Sequence, residues 1–537
     1  MTLVECYHII PMSLRSTHML RHWTRSTTPE NQRIIVRGFT AITFLSILLY
    51  LLHRHCSYDD NLPTVNRRFA LEPRILARWR WAFRSDKILD DAYAKYKGLP
   101  YRLARGDADI IVLPDDFIGE LNRLPQSAIS SRKSHSSSLT GYLNGMDVVK
   151  ETNHHVKMLL ARVTPALPML LPSIKTRIQR TINEDLPQNS CSWDIVQPVN
   201  KIVQCISQAV ALTTFGTPIC DDPELIRLCH VHTLNVFSIM FVMRLVPRFL
   251  QPILVWLTPF KWRLERSWKA LENFVIPEVD YRKQDTATRC NNPDLISWML
   301  AEARNEEERD GFMLTRLVGS VIAGGTYSSA AFITGVIADL VAHPHFLAEV
   351  REEIRATHER CNGDWDVGVF NSLDKLDSAM KETSRLAPGS LLVYSRFLEE
   401  DVVLSTGLRL NAGQLITTSG HSVAMDPTIF PDPRSYDALR AFNEGLDKHR
   451  AQPFRSVDSK DHRWGAGRWA CPGRSIASLV SKVILVKMLD EYEFSFLPDK
   501  QGAVKRPATQ IMHEFVFMDP ETNIFIRRRE KNSGIMY

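Results

Sequence analysis

The feature that most constrains this chain of 537 residues is a glycine-rich turn that carries Cys471 to the start of an apolar helix. Residues 464–473 read WGAGRWACPG. The two glycines let the backbone pass close to a flat ligand, and Pro472 with Gly473 turns the chain sharply into the next helix. Backbone N–H groups at that helix N-terminus stabilise a sulfur anion, which favours metal ligation by Cys471. The alternative is an inert buried cysteine at a loop-to-helix turn.

The turn resembles the haem-binding loop of the cytochrome P-450 family, in which an aromatic residue, two glycines, a basic residue and the cysteine occur at fixed spacing. The resemblance implies haem b as the cofactor and Cys471 as the axial ligand of its iron, a sulfur donor that favours O–O cleavage. Trp464 stands where the family usually has phenylalanine. Trp469 replaces the arginine or histidine that contacts a haem propionate, and an indole N–H carries no charge. Arg468 is the candidate to take over that contact.

A second motif lies upstream, in a helix-like stretch that Pro388 ends. Glu382 and Arg385 are three residues apart and share one helix face. Such a pair alone is usually solvated and contributes little to stability. Arg440 follows at the distance where the family has a second arginine, and the resemblance implies a buried network of Glu382, Arg385 and Arg440 that supports the haem loop.

The apolar stretch 321–340 predicts a long buried helix, although it contains two adjacent glycines and four consecutive hydroxyl side chains. Paired glycines favour local kinking, which would open room for water or a small ligand. Read alone, the segment also fits an ordinary core helix. Aligned on residues 343–344, it resembles the oxygen-activation helix of the family, with Ser328 at the threonine position and Tyr327 at the acid position. Ser328 and Ser329 are therefore the candidate catalytic residues, and no carboxylate stands at Tyr327.

Haem propionates need cationic or hydrogen-bonding partners when buried. Arg396, which follows the Glu-x-x-Arg helix, matches a frequent propionate contact of the family. Lys157 and His155, on a predicted helix, are the other candidates. Each of these two also fits a solvated surface residue.

Composition agrees with one large catalytic domain over residues 60–530. With 44% hydrophobic residues the chain can bury a large core, and no linker or low-complexity tract divides it. The formal charge of +6 comes from dispersed basic residues, so nucleic-acid binding is unsupported. The nine cysteines lack paired or zinc-like spacing, which argues against a disulfide framework and favours a reducing compartment.

Residues 34–53 predict a transmembrane anchor, because only Arg37 in this apolar stretch is charged. A cleaved signal peptide and a buried core helix are the alternatives. Basic residues between positions 54 and 87 outnumber those before the stretch, which places the catalytic domain in the cytosol. We expect a single-pass protein of the endoplasmic reticulum membrane, with residues 1–33 as an N-terminal extension that also resembles a transit peptide.

A second apolar region spans residues 236–260, but Arg244, Pro247, Arg248 and Pro252 interrupt it. It is too broken to cross a bilayer and fits a segment in the membrane interface with its arginines at headgroup level. In the family, this is the region of the substrate-access lid. A core helix pair under a lid is the alternative.

Periodicity predicts a mainly α fold with small β-sheets, the cytochrome P-450 fold. Helical patterns occupy residues 201–211, 224–242, 264–281, 314–341, 346–359 and 474–491, and strand-like patterns residues 109–113, 401–404 and 414–418. Residues 95–98, 154–157 and 506–529 resemble the ent-kaurene-oxidase-like fungal branch of the family, which mostly oxidises terpenoids, indole diterpenoids and related secondary metabolites.

The resemblance thus implies a membrane-bound haem-thiolate monooxygenase that inserts oxygen into a hydrophobic small molecule. The expected electron donors are an NADPH-dependent cytochrome P-450 reductase and a cytochrome b-type protein, docked by a basic surface. Two alternatives stay open. One is a haem-thiolate enzyme that catalyses a rearrangement, a dehydration or a peroxide-dependent reaction, and the other is a non-catalytic haem-binding membrane protein.

Overall fold

The computed structural model describes residues 43, 62–69, 72–106, 108–284, 293–447, 452–457, 462–499 and 501–537. The predicted extension 1–33 lies outside these residues, and so does all of the predicted anchor 34–53 except position 43.

Helices make up most of the described chain. In chain order they are α1 (Arg74–Tyr96), α2 (Ile118–Leu121), α3 (Ser131–Ser138), α4 (Gly141–Asn144), α5 (His154–Met158), α6 (Thr164–Asp185), α7 (Pro198–Phe215), α8 (Pro223–Met243), α9 (Gln251–Leu254), α10 (Pro259–Gln284), α11 (Leu295–Ala301), α12 (Gly311–Ala342), α13 (Pro344–Arg360), α14 (Val367–Asn371), α15 (Asp374–Leu386), α16 (Gly420–Ala424), α17 (Arg440–Asp447) and α18 (Arg474–Glu491).

The strands form small sheets. They are β1 (Tyr101–Ala104), β2 (Asp109–Leu113), β3 (Ile129–Ser130), β4 (Asp194–Val196), β5 (Leu392–Leu398), β6 (Val402–Val403), β7 (Arg409–Leu410), β8 (Leu415–Ser419), β9 (Tyr492–Phe496), β10 (Thr509–Met512), β11 (Phe515–Met518) and β12 (Ile524–Arg528). The largest sheet has the order β1-β2-β8-β5-β3, in which β2 and β8 are parallel and the other pairs are antiparallel. The others have the orders β4-β12-β9, β10-β11 and β6-β7.

The core is built around α12, which packs against α7, α8, α10 and α18. The side chain of Asp310 accepts a 2.9 Å hydrogen bond from the backbone N–H of Met313 and so caps the first turn of α12. Pro344 then begins α13, where its missing N–H costs no helical hydrogen bond. The mainly α architecture with small sheets is confirmed, and each of the six segments with helical periodicity lies within a helix.

The region 236–260 divides into a buried part and an exposed part. α8 ends at Met243 inside the core, and Arg244, only 1% exposed, pairs with buried Glu514. The expected headgroup position of this arginine is therefore wrong, because its charge is compensated within the protein. Ile253 and Leu257 are 67% and 77% exposed, as an interfacial segment would be.

Two described helices, α8 and α12, are long and apolar enough to cross a membrane by length and composition. Most of each is buried against the rest of the fold, as in core helices of many proteins. They are weak evidence for membrane association.

Candidate functional site

The cysteine turn is closed by a 2.7 Å hydrogen bond from the backbone N–H of Cys471 to the carbonyl of Trp464. Gly465 and Gly467 have φ values of +77° and +60°, a region that side chains disfavour. A Cβ atom at Gly467 would also lie 2.7 Å from the side chain of Asn122. Both glycines are thus required by backbone conformation, and the second also by close packing.

Cys471 lies just before α18, at its partly exposed end. Residues 471–477 are all half-buried, whereas residues 478–491 of the same helix are buried. Burial raises the pKa of the Cys471 thiol, and hydrogen bonds from the backbone N–H groups of Gly473 and Arg474 oppose this rise. The sulfur is therefore removed from bulk water, and backbone donors stabilise its anion.

The other buried cysteines are in different surroundings. Cys205 and Cys229 are buried within helices, and burial raises the pKa of each to about 12. Such thiols are inert packing groups. Among the six described cysteines, only Cys471 lies in a glycine turn ahead of a helix.

One face of α12 borders open space. Gly324 and Ser328 are exposed one turn apart, although Ala323, Thr326 and Ala330 beside them are buried. The Ser328 hydroxyl donates a 3.0 Å hydrogen bond to the Gly324 carbonyl. A Cβ atom at Gly324 would meet nothing within 4 Å.

The kink expected at the paired glycines is wrong, because α12 runs without interruption from Gly311 to Ala342. Room beside the helix comes from the missing side chains of Gly324 and Gly325, each of which faces open space. The helical hydrogen bonds are kept.

Aromatic contacts connect this open face to the cysteine turn. Phe332, one turn beyond Ser328, stacks on Phe454 with ring centroids 5.1 Å apart. The Trp464 ring lies 5.3 Å from that of Phe454, and its indole N–H donates to the Phe454 carbonyl at 2.7 Å. Phe454 and Trp464 thus link the cysteine turn to α12.

The carboxylate of Glu382 binds two arginines, Arg385 and Arg440. Arg385 donates to it from Nε and Nη2 at 2.9 and 2.7 Å, in a bidentate pair. Arg440 donates from Nε to both oxygens at 3.2 Å. Both members of the first pair are only 3–4% exposed. The Arg385 Nη1 group further donates to the carbonyls of Ala424 and Pro433, so the network joins α15 to the segment that precedes α17.

The predicted propionate ligands carry unused donors, which fits a group with two carboxylates. Arg396 is 5% exposed, and its Nε is buried without a hydrogen-bond partner. His155 is 8% exposed, its Nδ1 is equally unpaired, and burial lowers its pKa to about 4. Lys157 is exposed and has no ion pair within the described part of the chain. Because an unpaired buried donor is costly, an acidic ligand would stabilise Arg396, whereas the burial argument does not apply to exposed Lys157.

The side chain at the acid position turns away from the open face. The Tyr327 hydroxyl donates to Oδ1 of Asn200 in α7 at 3.3 Å, and its ring lies 5.5 Å from that of His230. Burial raises the pKa of Tyr327. Ser329 is half-buried beside it. Of the two candidate catalytic serines, Ser328 is the more open to the site.

Tyr394 was missed by sequence reasoning. Its φ of +55° is uncommon for a bulky residue, and it sits where β5 shifts register against β8, between Val393 and Arg396. Its ring lies 3.8 Å from the Arg396 guanidinium. A bulge of this kind leaves no mark in the sequence, although backbone strain is frequent at functional sites.

The chain is similar to known members of one protein family. The family model for cytochrome P-450 matches residues 134–524. A cytochrome P-450 monooxygenase of Emericella nidulans is 29% identical over 493 residues, which cover 90% of this chain and 91% of the relative. The monooxygenase olcJ of Penicillium canescens is 29% identical, with 91% and 93% covered, and terK of Tolypocladium album is 28% identical, with 87% and 90% covered.

Proposed function

Because this chain belongs to the cytochrome P-450 family, whose members bind haem iron through a cysteine thiolate, and is an oxidoreductase of the monooxygenase class, we propose that Cys471 is its iron ligand. The observation that supports this proposal is the placement of Cys471 on a two-glycine turn just before α18, where backbone N–H groups stabilise its anion. Its substrate is then a hydrophobic small molecule, oxidised with dioxygen and with electrons from NADPH that a cytochrome P-450 reductase or a cytochrome b-type donor delivers.

The bound haem supplies reductive activation of dioxygen next to the substrate. The chain's own residues hold and orient the group. Arg396 and His155, which have buried unpaired nitrogens, together with Lys157 and Arg468 are the proposed partners of its carboxylates, and Trp464 fixes the turn against Phe454. The Glu382 network, which joins α15 to the segment before α17, is proposed to support this turn, as the family resemblance implies.

Ser328 is the proposed proton donor at the open face. Its Oγ can leave the Gly324 carbonyl by rotation about Cα–Cβ and donate into the space beside the helix. The proton is then replaced from ordered water, since Tyr327 is hydrogen-bonded to Asn200 and points elsewhere. Ser329 is the second candidate for this role.

Membrane attachment is proposed on two features. One is the anchor 34–53. The other is an exposed apolar surface formed by Trp79 and Phe83 on α1 together with Ile253, Trp256 and Leu257 beyond α8. The Trp79 indole N–H donates to the Leu245 carbonyl at 2.7 Å, which joins the two parts. Clustered exposed apolar side chains of this kind mark membrane or protein contacts. We place the enzyme on the cytosolic face of the endoplasmic reticulum.

The substrate class proposed is a terpenoid or related secondary metabolite, on the resemblance to the ent-kaurene-oxidase-like branch. The test is expression of the chain with its reductase in yeast microsomes supplied with diterpenoid and indole-diterpenoid substrates. An oxygenated product that requires NADPH and carries one atom from labelled dioxygen supports the proposal. Turnover of fatty acids alone would contradict the substrate class.

The absence of an acid at Tyr327 favours one second candidate, a rearrangement, dehydration or peroxide-dependent reaction that needs no proton relay. The same microsomes distinguish the two. Full turnover without reductase and dioxygen supports the second candidate and contradicts the monooxygenase.

A further inference from the structure

Trp469 is in contact with two arginines. The Arg396 guanidinium carbon lies 4.6 Å from the centre of its ring, and that of Arg468 lies 4.0 Å from it. Both distances are well within the range of cation–π attraction, which is strongest for tryptophan. A neutral residue in the cysteine turn thus holds two positive charges beside it.

Arg396 is also fixed by contacts with groups other than Trp469. Its guanidinium lies 3.8 Å from the Tyr394 ring, and Nη1 donates to the Ser395 carbonyl at 2.7 Å. The hydroxyl of Tyr394 donates to Oδ1 of Asn122, the residue that packs on Gly467 in the cysteine turn. The strained bulge at Tyr394 therefore joins Arg396 to the same turn that carries Trp469.

The two cations repel one another. The pKa of Arg396 is lowered to about 10, mainly by burial and in part by the nearby charge of Arg468, so the two charges are close enough to interact. Within the described residues no carboxylate pairs with either of them. An aromatic ring that contacts both offsets part of this repulsion without satisfying any N–H group.

When a guanidinium stacks with its face on an aromatic ring, the N–H groups at its edges can still donate hydrogen bonds to planar acceptors such as carboxylates. Arg396 retains an unpaired buried Nε, while Arg468 uses Nη2 for the Leu124 carbonyl and has further N–H groups. We propose that Trp469 is a positioning residue that holds Arg396 and Arg468 together as the anchor for the haem carboxylates, in place of a cation at its own position. This inference rests on the proposed haem site at Cys471.

The experiment measures the rate at which the ferric holoenzyme loses haem to excess apomyoglobin. The variants are Trp469→Leu, which removes the ring, and Trp469→Phe, which keeps an aromatic face. Trp193→Leu is the matched control, because Trp193 also stacks with an arginine, Arg527 at 4.4 Å, but in the sheet of β4 and β12. Thermal unfolding followed by circular dichroism checks that each variant is folded.

We expect Trp469→Leu to lose haem about tenfold faster, the equivalent of one to two cation–π contacts. Trp469→Phe should restore most of the difference, and Trp193→Leu should match the wild type. In a double-mutant cycle, Trp469→Leu should have a smaller effect in the Arg396→Gln background than in the wild type, because part of the ring's effect acts through that arginine.

An unchanged rate of haem loss in Trp469→Leu would overturn the inference. So would equally fast haem loss in Trp469→Phe and Trp469→Leu, or strictly additive effects of Trp469→Leu and Arg396→Gln. Failure of the proposed function looks different. In that case the wild-type protein itself lacks the thiolate-type band in the reduced carbon-monoxide spectrum, whatever stands at Trp469.

Discussion

The Nε atom of Arg440 lies 3.2 Å from each carboxylate oxygen of Glu382, although the two residues are 58 positions apart in the chain. Glu382 at the same time holds Arg385 in a bidentate pair one turn along α15. One carboxylate therefore compensates two arginines, and it fixes the segment that leads to α17 against the core.

Glu382→Ala should leave both guanidinium groups without a charge partner. Removing one member of a buried ion pair costs roughly 3–5 kcal/mol in the free energy of unfolding, enough to reduce haem incorporation. Urea unfolding and the ratio of haem to protein measure the two effects. The control is Glu352→Ala, which removes an exposed partner of Arg355 and should leave both values unchanged. Normal stability and haem content in Glu382→Ala would contradict the supporting role of the network.

Cys471→Ala should abolish the thiolate-type band in the reduced carbon-monoxide difference spectrum. Among the described residues, no second cysteine lies in a comparable turn, and helix-buried thiols such as Cys205 ionise too weakly to replace it. Cys191→Ala, which removes an exposed cysteine, is the control and should keep the band. A band retained in Cys471→Ala would place the ligand elsewhere.

Much of the fold could be predicted because it depends on local patterns. α18 runs from Arg474 to Glu491, the same bounds that periodicity predicts, since its apolar repeat and the glycine turn before it are adjacent in the sequence. The turn around Cys471 could be predicted for the same reason. The motif defines its own backbone conformation.

The contacts that escaped prediction join residues far apart. Glu514 pairs with Arg244 and Arg105, which are 270 and 409 positions away. No local pattern distinguishes such an arginine from a solvated one, and this is why Arg244 was expected at the membrane surface. The cation–π contact of Trp469 with Arg396 also depends on a bulge that the sequence does not show.

Stability in acid should depend on Glu514. Burial opposes its ionisation, but Arg244, Arg105 and His513 outweigh this and hold the pKa of Glu514 below its ordinary value of 4.5. A carboxylate whose pKa is lower in the folded state stabilises the fold above the unfolded-state pKa, and this stability is lost as the pH falls below that value. Between about pH 5 and about pH 3, the free energy of unfolding should fall more steeply in the wild type than in Glu514→Gln. The control is Glu400→Gln at an exposed position, which should follow the wild-type dependence on pH. If the free energy of unfolding falls equally steeply in the wild type and in Glu514→Gln, the role of Glu514 is contradicted.

Deletion of residues 1–55 should release much of the protein from microsomes while the haem is retained. Some binding should remain, because Ile253 and Leu257 stay exposed. Ile253→Ser with Leu257→Ser in the shortened chain should lower the remaining vesicle binding by about tenfold, the effect of losing part of the burial of two apolar side chains. Val403→Ser, at an exposed position on β6, is the control. Full-length protein that carbonate washes off the membrane would contradict the anchor.

Ser328→Ala should lower product formation more than it lowers NADPH consumption, with the surplus electrons released as hydrogen peroxide. The Ser328 hydroxyl is exposed on the open face of α12, and loss of a positioned proton donor typically costs on the order of a hundredfold in rate. Tyr327→Phe is the matched control, since the Tyr327 hydroxyl is turned toward Asn200, and it should couple NADPH to product as the wild type does. Product, NADPH and peroxide are measured in one reductase-supported assay. Equal coupling in Ser328→Ala and the wild type would remove Ser328 from proton delivery, and uncoupling in Tyr327→Phe alone would move that role to Tyr327.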